Sequence, residues 1–289
     1  MTVLQPNPEA QTVPPAERLT RILGGPEEVI PLTEAALLVA SHRYPDLDVQ
    51  SCLERIDAIG VGLRSQVDPD AAPTRRILAL NQYLFGELGF GPNTDDYYDP
   101  RNSFLNDVLE RRLGIPITLS LLYMEVGNRI DLPLQGVCFP GHFLVKCRLA
   151  EGMVVLDPYA GGISLGIPDL QRRLREVRGG EVSRAIIAAM LVAATKKNIL
   201  LRMLRNLKAI YLRRQEADNA LHIMQWIVAA APTEAAEIRD RGMLYQELDC
   251  FRAAISDFER YLELAPDCAD ADDVRRRMID LQRNAARLN

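Results

Sequence analysis

The C-terminal third of the chain repeats itself every 34 residues: Tyr211 returns as Tyr245, Ala220 as Ala254 and Pro232 as Pro266. A fixed period of this length constrains a fold more than local propensity does. Each copy is one supersecondary unit that buries its apolar face only by stacking on a neighbour. The second copy carries Gly242, Tyr245, Ala254, Phe258, Tyr261 and Pro266. A small residue there lets two antiparallel helices approach, and the proline closes the second helix. In the first copy Lys208, Met224 and Ile227 replace the glycine, phenylalanine and tyrosine. Residues 270–288 place Val274, Met278 and Leu281 on one face, which predicts a closing helix. Two copies seldom stand alone, so they are expected to pack on the domain before them.

In this spacing residues 199–266 resemble tetratricopeptide repeats. The resemblance implies an all-α region over 183–289 and a protein or peptide partner, since concave helical arrays bind extended or helical segments. Charge divides along the same line. Residues 1–170 carry a net charge of −9, residues 171–289 carry +4, and 171–214 alone hold 12 basic against 2 acidic side chains. Arg202, Arg205 and Lys208 recur every three residues opposite Leu200, Met203, Leu204, Leu207 and Tyr211, which predicts a cationic row facing the acidic first domain. No aromatic side chains interleave with the basic ones, so nucleic acid fits this stretch less well than protein does.

Overall the net charge is −5, with 48% hydrophobic and 25% charged residues, which excludes disordered and fibrous classes. The longest uncharged apolar run of the second half, Ala185 to Ala194, is ten residues, too short for a bilayer span. With no basic, apolar leader at Met1–Pro8, the sequence predicts a cytoplasmic protein without membrane contact. The cysteines at 52, 138, 147, 250 and 268 show no CxxC pairing, so neither a disulfide framework nor a zinc site is expected, and no cofactor is implied.

The first domain is expected over 16–182, behind a Pro-rich tail ending near residue 15. Helices are predicted over 34–41, 49–63 and 73–88, then a loop to Asp99, then a helix capped by Asn102 or Ser103. Residues 115–129, apolar nearly all round, predict a central buried helix begun by Pro116. A strand at 132–138, the turn Pro140-Gly141, a strand bearing His142 and a return strand ending at Asp157 follow. If the second hairpin turn centres on Leu149-Ala150, His142 stands opposite Asp157; centred on Glu151-Gly152, the pair slips by about four residues.

A buried helix, a strand bearing histidine and a strand ending in aspartate is the layout that assembles Cys-His-Asp in papain-like and transglutaminase-like folds. The stretches Asn102-Ser103-Phe104-Leu105, Arg112-Leu113-Gly114-Ile115-Pro116-Ile117, Pro140-Gly141-His142-Phe143-Leu144 and Asp157-Pro158 resemble the transglutaminase-like superfamily. With repeats behind them, they resemble more closely the bacterial SirB-type family, in which such a domain is joined to tetratricopeptide repeats. The resemblance implies an α+β domain with a small antiparallel sheet, joined to all-α repeats. It implies His142 as catalytic histidine, Asp157 as the carboxylate that orients it, and a cleft lined by Asn102, Pro116 and Gly141.

The nucleophile does not carry over, because Gly114-Ile115-Pro116 stands where active relatives have Gly-x-Cys, and proline has no nucleophilic atom. Cys138, four residues before His142, and Ser120, one helical turn beyond Pro116, are the substitutes. A metal at His142 and Asp157 lacks a third ligand. Two readings follow: a non-catalytic peptide- or protein-binding module, or a hydrolase or acyltransferase whose nucleophile is displaced to Cys138 or Ser120.

Overall fold

A computed structural model describes residues 13–150 and 152–287. The expected tail up to residue 12, and Glu151 of the candidate turn, lie outside the described residues. The chain divides into two compact units, one built on Pro26–Met203 and the other on Glu17–Gly25 with the residues from Leu204 onward. The first helix, α1 (Pro15–Gly24), belongs with the second unit and buries Leu19 and Leu23 fully. It begins where the sequence predicts the end of a tail.

In the first unit, α2 (Leu32–Leu38) runs on as a 3-10 turn through His42. Helix α3 (Val49–Arg64) starts at Asp48, whose carboxylate accepts the Ser51 N–H at 2.9 Å, and buries Cys52, Ile56, Gly60 and Leu63 at helical spacing. Helix α4 (Pro73–Asn81) opens on proline and widens to π turns over Gln82–Glu87. Strand β1 (Gly91–Pro92) pairs in parallel with β2 (Leu113–Gly114).

Between these strands lies α5 (Leu105–Arg111), ended by Arg112 in the left-handed region at φ 61°. Asp99 caps the 3-10 turn before it by accepting the Arg101 N–H, and α5 itself starts at Phe104 without a side-chain cap. The cap expected from Asn102 or Ser103 is absent because Asn102 is itself inside the 3-10 turn.

Helix α6 (Pro116–Asn128) is the centre of this unit. It buries eleven of its residues, Leu119, Leu121, Leu122 and Tyr123 among them, and packs against α3, α4, α5 and the sheet. Each such leucine contributes roughly 1.5–3 kcal/mol on burial. The sheet has the antiparallel order β3 (Leu134–Val137), β4 (Leu144–Leu149), β5 (Gly152–Asp157), β6 (Ile163–Ser164). Leu149 faces Gly152 and Val145 faces Leu156, so the register falls midway between the two expected ones and sets Asp157 across from Leu144. Helices α7 (Ile167–Arg178) and α8 (Arg184–Met190) cover the sheet through Leu170, Leu174, Ile187 and Leu191, packed on Val137, Phe139, Leu144 and Val155.

The second unit takes the end of α9 (Lys196–Arg213), then α10 (Ala217–Ala230), α11 (Ala235–Glu247), α12 (Phe251–Leu264) and α13 (Ala271–Arg287). The sequence period is a backbone period too. Gln215 and Asp249 both take left-handed φ, at 58° and 55°. The Glu216 N–H donates to Tyr211 O as the Cys250 N–H does to Tyr245 O, each at 2.9 Å. Gly242 is required by close approach: a Cβ there would stand 2.8 Å from the Phe258 ring.

In the first copy Lys208 reaches across to α11, its Nζ 2.7 Å from Glu237 and 2.8 Å from Asp240. Arg205 pairs with Glu234 and, at 2.7 Å, with Glu237. The cationic row expected to face another domain is therefore neutralised within its own unit at these two positions.

Candidate functional site

His142 sits in the turn between β3 and β4, whose N–H donates to Phe139 O at 3.0 Å. Gly141 makes that turn possible with φ +70°, and a Cβ on it would stand 2.7 Å from Val177 of α7. Asp157 closes β5 and is followed by the 3-10 turn Pro158–Ala160, where its Oδ1 accepts the Tyr159 N–H at 3.1 Å.

Although the strand register offsets the two residues, the imidazole reaches back and His142 Nε2 lies 2.8 Å from Asp157 Oδ1. On the other oxygen, Arg173 Nη2 of α7 lies 2.7 Å from Asp157 Oδ2. The aspartate side chain is 1% exposed and the histidine 16%. Burial alone would push the Asp157 carboxyl up, but the His142 hydrogen bond and the charges of His142 and Arg173 hold it below the usual carboxylate range. An ionised carboxylate accepts, so Nε2 donates, and Nδ1 is the nitrogen left to meet a ligand.

Aromatic rings border the histidine. Tyr159 meets the imidazole edge-on at 5.8 Å, Tyr97 meets Tyr159 at 6.5 Å, and Tyr98 meets Tyr97 at 5.3 Å. The turn bearing Tyr159 packs against α6 and against β1, and β1 pairs with the strand that leads directly into Pro116. That brings the start of the central helix to the same end of the unit as the His142–Asp157 pair.

Of the residues expected to line the cleft, Gly141 is exposed beside His142. Pro116 is buried, with Gly114 and Ile115 on its N-terminal side. Asn102 is a correction: it is 0% exposed. Its Nδ2 donates to Asp96 O at 2.7 Å, its Oδ1 accepts from Asn93 at 3.0 Å, and its carbonyl accepts the Thr118 hydroxyl at 2.8 Å. It ties the Asp96–Tyr97 loop to the first turn of α6. Ser120 is also corrected as a nucleophile, since its Oγ is sealed inside α6 and has no hydrogen-bond partner, whereas an activated serine needs a base in contact.

Cys138 is half-buried at the centre of a tight turn closed by the Phe139 N–H on Val137 O at 2.8 Å. Arg173, Tyr159 and Tyr97 escaped sequence reasoning. Their only signals were the Arg172-Arg173-Leu174-Arg175 run and the aromatic residues close to the quoted motifs.

The pattern of the transglutaminase-like superfamily matches residues 50–205, and that of a tetratricopeptide repeat matches 207–278. A UPF0162 protein of Xylella fastidiosa strain Temecula1 is 41% identical over 257 residues, covering 88% of this chain and 91% of its own. A UPF0162 protein of Pseudomonas aeruginosa is 35% identical over 236 residues, 82% of this chain and 85% of its own. The UPF0162 protein YchA of Escherichia coli K12 is 28% identical over 242 residues, 82% and 87% respectively.

Proposed function

The chain belongs to the transglutaminase-like superfamily, within the UPF0162 family, and from that membership we propose that it is a non-catalytic peptide- or protein-binding module. The observation that carries this reading is the start of α6. A transglutaminase-like mechanism needs a thiolate there, where helix N–H groups lower its pKa. This chain presents a buried proline instead, while the His142–Asp157–Arg173 arrangement persists. The retained pair satisfies two polar groups and gives the rim of the cleft a fixed shape. The repeats supply a second surface of the kind that binds peptide segments.

A second reading, a cysteine hydrolase or acyltransferase, draws on Cys138, half-buried and four residues from His142. A cytoplasmic setting belongs to the proposal as well. Cys52 and Cys147 are buried thiols whose pKa burial pushes up, and unreactive thiols of that kind suit a reducing compartment. Among the described residues no helix is long and apolar enough to cross a membrane.

Pro116→Cys tests the reading. Alkylation rates are measured against pH for the variant and its parent, and the difference reports the new thiol. The expected result is a thiol titrating at about 8.5 or above, as free cysteine does, with no acyl transfer from a glutamine-mimic substrate. A thiol titrating near 6, with acyl transfer, means that the cleft is still built for catalysis. Rapid labelling of Cys138 at neutral pH in the parent, abolished by His142→Ala, establishes the second reading instead.

A further inference from the structure

Helix α4 and the sheet of the first unit stand apart along a groove with a cavity of about 500 Å³. The helix wall presents Thr74, Ile77, Leu78 and Asn81, at the spacing that puts all four on one helix face. The facing wall is Leu149 of β4, Val154 and Leu156 of β5, and Ser164 of β6. Strand register puts these four on one face of the sheet, since Leu149 pairs with Gly152 and Leu156 with Ser164. Val155 points the other way and packs with Leu170 and Leu174 of α7, and Asp157 shares that second face with it. The groove therefore lies across the sheet from the His142–Asp157 pair. One corner fixes its width. Asn81 Nδ2 donates to Gly162 O at 2.9 Å, its Oδ1 accepts the Tyr123 hydroxyl at 2.7 Å, and the Gly162 N–H donates to Asp157 O at 2.8 Å. Gly161 and Gly162 take left-handed φ, 71° and 77°, and a Cβ on Gly162 would collide with the Asn81 amide. Helix and sheet are thus held at a set spacing, and the groove is preformed.

Size and chemistry select the occupant. Leu78 is 66% exposed although it stands on the wall, and Leu149 and Val154 are half-buried, so apolar surface is left for a ligand to cover. A second copy of this chain would need about 800 Å² on each partner, far more than one helix face and the end of a short sheet supply. A cavity of this volume, mostly apolar with a few polar groups, has the character of a small-molecule site. Among the described residues no charged side chain lines it, so a charged ligand would give up water without meeting a counterion. The exposed hydroxyls of Thr74 and Ser164 are what the mouth offers instead. We propose that the groove between α4 and β5–β6 is a binding site for a small neutral molecule, mainly hydrocarbon, with one hydrogen-bonding group such as an alcohol that meets Thr74 or Ser164. This site goes beyond the binding-module reading and does not depend on it.

The test is titration of the full chain with N-phenylnaphthylamine, a neutral probe that brightens in apolar surroundings, followed by displacement with decanol and with decanoate. The expected result is one saturable site. Leu78→Gln, at an exposed position and with the parent's thermal midpoint, should weaken the probe about tenfold. Thr74→Trp, which fills the mouth from the exposed side, should abolish binding. Val61→Gln, an equally exposed apolar position on α3, and His142→Ala, across the sheet, should leave it unchanged. Decanol should displace the probe, and decanoate should do so about tenfold less well. Decanoate that displaces as well as decanol overturns the neutral class of ligand. No saturable binding, or binding indifferent to both Leu78→Gln and Thr74→Trp, overturns the site. A dimer in sedimentation that Leu78→Gln dissociates replaces the small molecule by a second copy of the chain and overturns the proposal.

Discussion

Asp157 holds its corner of the first unit through two hydrogen bonds on Oδ1, from the His142 imidazole and the Tyr159 N–H, and the Arg173 ion pair on Oδ2. Asp157→Asn keeps the shape but leaves the half-buried Arg173 guanidinium facing an amide, and should cost about 1–3 kcal/mol in urea unfolding. The effect has a defined pH dependence. Because the native carboxyl titrates below its unfolded value of about 4, the folded chain binds fewer protons there than the unfolded chain. The stabilisation is therefore complete above about pH 4 and fades as pH falls through the lowered native value. Urea midpoints of parent and variant should lie far apart at pH 7 and converge below pH 4. The His142–Asp157 pair was legible because both residues sit in motifs flanked by turn-forming residues. Asn102 was misread because sequence shows that a polar residue is placed, not whether it faces solvent or the backbone of its own loop.

At the scale of elements, α11 and α12 meet where Gly242 leaves room for Phe258. Alanine in a helix is normally favoured over glycine by about 1 kcal/mol, but a methyl at 2.8 Å from a fully buried ring forces repacking that costs about 1–3 kcal/mol. Gly242→Ala should therefore lower the thermal midpoint of the chain, with a net loss of about 1 kcal/mol. A raised midpoint would show that the ring can move. The repeat was readable because a period of 34 constrains many positions at once, and the helices at 49–63, 73–88 and 115–129 were readable because their apolar spacing is regular. Strand register was not. Period-two alternation fixes which face a side chain takes, but slips of two residues preserve that parity, so His142 and Asp157 ended two positions from the direct pairing.

For the whole molecule, the membership of α1 in the second unit is the feature that sequence gave no means of seeing. Its buried leucines have helical spacing, but nothing in the spacing says which distant helices receive them. Leu19→Ala should cost about 2–5 kcal/mol, as large-to-small changes at fully buried sites do. The chain's single tryptophan, Trp226, lies buried in α10 of that unit and reports on it directly. The denaturant midpoint followed by its emission should fall in the variant. An unchanged midpoint would separate α1 from the repeats.

The same feature has a consequence in time. A ribosome releases α1 well before the rest of its unit, which begins at Leu204, about 180 residues later, and synthesis at roughly 5–20 residues per second spreads that interval over some 10–40 s. Throughout it the remainder of the unit that takes α1 is missing, while the first unit can already close upon itself. The repeats, though local in their own contacts, thus belong to a unit that is completed only after residues beyond Leu204 have emerged.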